Sequence, residues 1–87
     1  MTLLFFIEGF MNPGQCRAAR ALLEWTQPHL ATEAGVSPST LRDFESGKRK
    51  PIGNNVTAIR SALEAAGITF LDNGEVSPGP GVALRRG

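Results

Sequence analysis

This chain has few of the residues that most protein chemistry needs. Among 87 residues it holds one cysteine, one histidine, one tryptophan and no tyrosine. A single thiol, Cys16, excludes an internal disulfide and a multi-cysteine zinc site, fits a reducing compartment, and reads as a core residue. His29 and Glu33 stand four apart, a spacing that two metal ligands can share on a helix. No third ligand follows at a recognisable distance, so they read as a solvated helix face with no metal. One histidine, one cysteine and scattered carboxylates form no nucleophile-and-base arrangement, which argues against an enzyme; no cofactor is expected. Charge of one sign is also scarce. Nine Lys or Arg stand against eight Asp or Glu, a net +1, so any affinity for a polyanion has to come from a local cluster. The longest apolar run, residues 3–7, is too short to cross a bilayer, and it lacks the basic region and cleavage site of a secretory signal. A soluble, cytoplasmic protein without membrane contact is expected. A single domain of this size has a marginal core, which oligomerisation would support.

What the chain does have is a dense set of helix signals between residues 26 and 51. Thr26 is an N-cap, with Trp25 and Leu30 at the spacing of a hydrophobic staple, and Gly35 is placed to end the helix it starts. Ser37 caps a second helix, Pro38 takes the first-turn position, Val36 can staple onto Leu41, and Gly47 ends that helix. Leu30, Ala31, Ala34, Val36, Leu41 and Phe44 recur at helical spacing and form the inward set. Ser39, Thr40, Arg42 and Asp43 are left on the outer face of the second helix, a short polar set able to reach base edges. Beyond it Lys48, Arg49 and Lys50 are three consecutive cations, suited to lie along a phosphate backbone.

Two short helices joined by a tight turn and followed by Glu-x-Gly-x-x-x-Pro form a recognisable pattern. It appears here as Gln27, Leu30-Ala31, Gly35-Val36-Ser37, Leu41 and Glu45-Ser46-Gly47-Lys48-Arg49-Lys50-Pro51. The segment closely resembles the DNA-binding domain of the Cro and lambda-repressor superfamily, the XRE type of regulator found in bacteria and phages. The resemblance, with flanking helices, covers roughly residues 13–67. It implies a mainly α fold, a helix-turn-helix bundle of four to five short helices, to which the flanking residues add a C-terminal β-hairpin and, in one reading, an N-terminal strand. It also implies a structural pair between Arg20 and Glu45, and a phosphate-facing role for Gln27. The N-terminal position of Gln27 on its helix suits that role, because the helix dipole favours an anion there. Ser37, at the start of the next helix, joins the phosphate-facing set. Arg17 reads as a solvated or phosphate-facing charge.

The flanks complete the organisation. Asn12 caps a first helix, with Pro13 at its first position and Gln15 placed to close a capping box; it is expected to run to about Glu24 with Cys16, Ala19, Leu22 and Leu23 inward. Asn54 and Asn55 are read as caps of a fourth helix carrying Val56, Ile59, Ala62, Leu63 and Ala66, and Gly67 stops it. Residues 68–71 and 81–85 read as the two strands of a hairpin with a turn at Asp72-Asn73-Gly74. Residues 1–11 form an apolar extension with three open readings: a strand at a dimer interface, a segment packed on the hairpin, or a poorly ordered lead-in. The expected units are thus 1–11, a DNA-binding domain over 12–67, and a tail over 68–87.

Two functions compete at this stage. The first is a sequence-specific transcriptional regulator, a repressor that binds a palindromic double-stranded DNA operator as a homodimer and is associated with the nucleoid. The second is a protein-interaction module, an antitoxin or anti-activator that keeps the fold but holds a regulatory protein partner. Asp43 on the outer face, the near-zero net charge and the apolar extension favour the second.

Overall fold

In the computed structural model, residues 11–48, 53–71 and 80–85 are described. Among them the chain forms α1 (Pro13–Leu23), α2 (Gln27–Ala34), α3 (Pro38–Ser46) and α4 (Gly53–Ala65), followed by strands β1 (Ile68–Leu71) and β2 (Gly81–Leu84). The predicted N-terminal strand, the turn at residues 72–74, and the cations Arg49 and Lys50 lie outside the described residues.

Each of the first three helices begins where its cap demands. Asn12 accepts from the Gln15 N–H at 2.7 Å while the Gln15 side chain accepts from the Asn12 N–H at 3.0 Å, a closed capping box. Thr26 and Ser37 accept from the N–H groups of His29 and Thr40. Gly35 (φ 72°) turns the chain between α2 and α3, in a left-handed conformation that strains a residue with a Cβ. The helix ends therefore follow from local chemistry alone. The fourth start differs from expectation: α4 opens at Gly53, which puts Asn54 and Asn55 inside the first turn instead of at the cap.

The core gathers Met11, Cys16, Ala19, Leu30, Ala31, Leu41, Phe44, Val56, Ile59, Leu63, Ile68 and Phe70. α2 packs on α3 and α4, and α1 packs on α3 and on β2. Ala34 and Val36 are half-buried at its edge. Leu22 corrects the inward set of α1: it is 45% exposed. It lies two turns along the same flank from Gln15, which is buried and bonded to the hairpin.

The hairpin is antiparallel, with Ile68 opposite Leu84 and Phe70 opposite Val82. This period-2 register turns Ile68 and Phe70 into the core and leaves Thr69 and Ala83 exposed. An isolated two-stranded ribbon is marginal, and two devices tie this one down. Buried Gln15 donates through Nε2 to the carbonyls of Leu71 (3.3 Å) and Gly81 (3.0 Å), clasping the far end of the ribbon to the start of α1. At the other end Gly67 (φ 107°) accepts from the Arg85 N–H at 2.7 Å, in a place where an added Cβ would meet the Arg85 carbonyl at 3.3 Å. Arg60 on α4 is buried as well, its guanidinium 4.6 Å from the Phe70 ring centroid and its Nε 3.0 Å from Glu64.

Candidate nucleic-acid interface

The four residues predicted to read bases all stand on α3, but they are not equivalent. Ser39 and Arg42 are exposed, whereas Thr40 and Asp43 are half-buried. At roughly 100° per residue, Ser39, Arg42 and Ser46 fall on one outward stripe, with Asp43 on its shoulder and Thr40 further round towards the core. Ser46 is absent from the set named from sequence, although its i, i+7 spacing from Ser39 is a signal that finds it. Its hydroxyl donates to the Asp43 carbonyl and accepts from the Lys48 N–H.

The first turn of α3 carries a small hydroxyl cluster. Ser37 Oγ donates to Thr40 Oγ1 at 2.8 Å, lies 3.3 Å from Ser39 Oγ, and accepts from the Thr40 N–H at 3.1 Å. A hydroxyl that accepts from a neighbour keeps its own proton to donate, so Thr40 can still offer one outward. Lys48 is exposed just past the helix, where its N–H closes onto the Asp43 carbonyl at 3.2 Å.

The inward side of α3 ends in a polar hub. Glu45 is only 2% exposed, and its carboxylate accepts four hydrogen bonds. Arg20 grips it with two, Nε to Oε2 at 2.7 Å and Nη2 to Oε1 at 2.8 Å. Gln27 Nε2 donates to Oε1 at 2.9 Å, and Cys16 Sγ donates to Oε2 at 3.1 Å. Two more bonds tie backbone carbonyls: Arg17 Nη1 donates to the carbonyl of Glu45, and Arg20 Nη1 donates to that of Trp25 at 3.0 Å. One carboxylate thus joins α1, α2 and α3, and no buried side-chain polar atom among the described residues lacks a partner.

The electrostatics follow from this geometry. Burial pushes the Glu45 carboxyl up, but the bonds from Arg20, Gln27 and Cys16 outweigh it and hold the group below its ordinary value. Arg20 is held more firmly protonated by its bond to Glu45, which exceeds the opposing effect of its partial burial. Burial, reinforced by the bond to Glu45, drives the Cys16 thiol far above its usual range, so it is a neutral donor and not a nucleophile.

This hub engages one donor from each of two side chains expected to face phosphates. The side chains of Gln27 and Arg17 are engaged with Glu45. The backbone of α2 can offer an anion a further donor. Pro28 has no N–H, that of His29 is held by Thr26 Oγ1, and that of Leu30 by the Thr26 carbonyl, which leaves the Gln27 N–H. In α3, by the same accounting, Pro38 has no N–H, that of Thr40 is capped, and the Ser39 N–H is left. His29 and Glu33 do approach each other, 3.8 Å apart and about half exposed. No group of three or more metal-ligating side chains occurs among the described residues.

A capped helix packed under a second one, whose polar face points outward, is the architecture of a helix-turn-helix DNA-binding domain. The helix-turn-helix family model matches residues 17–68, more than half of the chain. The chain belongs to that family, in its Cro and lambda-repressor (XRE) branch. Membership brings DNA binding and transcriptional regulation, without enzymatic activity. A search of curated proteins found no match. No helix among the described residues is long and apolar enough to cross a membrane.

Proposed function

We propose that this protein is a transcriptional repressor that binds a palindromic operator as a homodimer, with α3 in the major groove. The observation that carries this reading is the contrast across α3, where the buried end is fixed by Glu45 and the exposed stripe holds Ser39, Arg42 and Ser46. Arg42 can fork onto O6 and N7 of a guanine, while Asp43 can accept from a cytosine amino group or brace a cation. The Gln27 and Ser39 N–H groups and the cations Lys48, Arg49 and Lys50 supply sequence-independent contacts to phosphates. A two-fold dimer places its half-sites about 34–36 Å apart, and bound there it blocks polymerase by occupying the DNA.

The test is a gel shift with the DNA immediately upstream of the protein's own gene, paired with sedimentation at micromolar concentration. A dimer that retards this DNA and a footprint with two-fold symmetry support the reading. A monomer, or retardation that is equal for random DNA, overturns the operator and dimer parts of it.

A further inference from the structure

A shallow, open cleft of about 290 Å³ lies at the joint between α1 and α2, lined by Glu24, Trp25, Thr26 and His29. Trp25 packs in part against the core. The rest of it lines the cleft in a T-shaped pair with His29, ring centroids 4.5 Å apart at 73°. Two carboxylates flank this aromatic corner, Glu24 on its wall and Glu33 at 3.8 Å from His29. Arg20 donates to the Trp25 carbonyl but has its charge bound to Glu45. Glu24 has no ion-pair partner among the described residues.

The backbone singles out Glu24 independently. It sits in the left-handed region at φ 57°, and the other left-handed positions among the described residues are Gly35, Gly47 and Gly67. A glycine would end α1 without the steric penalty that a Cβ brings here. The chain instead holds a carboxylate beside the tryptophan.

We propose that this cleft is a docking site for a cationic side chain, arginine or lysine, presented by a partner protein. A tryptophan face attracts a cation through its quadrupole, and carboxylates at the rim add charge-assisted hydrogen bonds. Glu24 on the wall repels an anionic side chain, so an acidic peptide is excluded. The cleft adds a protein contact to a DNA-binding module without drawing on the face of α3.

Trp25 is the sole tryptophan of the chain, so its fluorescence reports on the cleft directly. The full chain is titrated with a capped pentapeptide carrying two arginines, with its two-lysine counterpart, and with its two-glutamate counterpart. The expected result is a saturable change in Trp25 emission with the basic peptides, weakened by added salt and absent with the acidic one. Glu24→Gln and Glu33→Gln are each expected to weaken it by about twofold to fivefold, the range of an exposed ion pair, with circular dichroism unchanged. No emission change with either basic peptide, or one untouched by both substitutions, overturns the proposal. So does an emission change on dilution of the protein alone, which would mark the cleft as a contact between copies of this chain.

Discussion

The two sides of α3 make opposite use of polar residues. On the inner side Glu45 is buried with Arg20, Gln27 and Cys16 all donating to it, and the Arg17 guanidinium closes on its carbonyl. That side has its hydrogen-bonding capacity filled by the protein itself. On the outer side Ser39, Arg42 and Ser46 are exposed, bonded at most to close neighbours along the chain, and Arg42 pairs with no carboxylate among the described residues. A helix that is to read another molecule needs both: a filled network to fix its position, and a face whose donors are still available.

The contrast breaks most sharply at Glu45. Replacing it by Ala leaves Arg20 and Gln27 without their acceptor in a largely dry joint, and is expected to destabilise by about 3 kcal/mol. That is the low end for a broken buried pair, chosen because the Arg20 side chain is 21% exposed. Thermal denaturation followed by circular dichroism reads this at roughly 4–8 °C per kcal/mol for a domain of this size. A Tm unchanged within 2 °C, marked as roughly half a kcal/mol on that scale, would show that the hub is decorative.

On the outer side the expected pattern is reversed. Arg42→Ala is expected to change stability by less than about 0.5 kcal/mol and yet to remove about 1–3 kcal/mol of base discrimination at one symmetric pair of operator positions. Selection of preferred sites from a random DNA pool by wild type and variant measures this. Identical preferences would remove Arg42 from the base-reading set.

Acid sharpens the comparison without a mutation. The folded protein holds the Glu45 carboxyl below its ordinary value. Its contribution to stability is therefore full above the unfolded carboxylate value of about 4.3 and is lost as pH falls through the lower folded value. Urea denaturation of wild type and Glu45→Gln between neutral pH and about pH 3 is expected to converge as pH falls. Curves that stay parallel would mean that Glu45 does not govern acid sensitivity.

The smallest effect is expected at Lys48. Its replacement by Ala should weaken binding to every DNA sequence alike and lower the slope of log affinity against log salt by about 1. A loss confined to the preferred operator would instead place this lysine among the base-reading residues.

Much of the fold was legible because it is written locally. Asn12 with Gln15, Thr26 with Trp25, Ser37 with Pro38, and Gly35 each act within one helical turn, and their spacing names the helix ends before any tertiary contact forms. Local signals are ambiguous at two places: two adjacent asparagines match a cap but lie inside the first turn of α4, and periodicity puts Leu22 on an inward flank without fixing how deeply it is buried. The candidate site divides in the same way. The outward position of Ser39 and Arg42 follows from helical phase, whereas the engagement of Arg17 and Gln27 with Glu45 joins residues 28 and 18 positions apart.

The sequence by itself determined four helix-forming segments, a hairpin, the inward residues of the two central helices, and the family pattern, because these depend on spacing within an element. Only the tertiary structure decided which donors Glu45 collects, that Cys16 is one of them, and that Gln15 clasps the hairpin. Those outcomes depend on how elements cross, and a side chain with several possible partners takes the one that burial makes most expensive to leave unsatisfied.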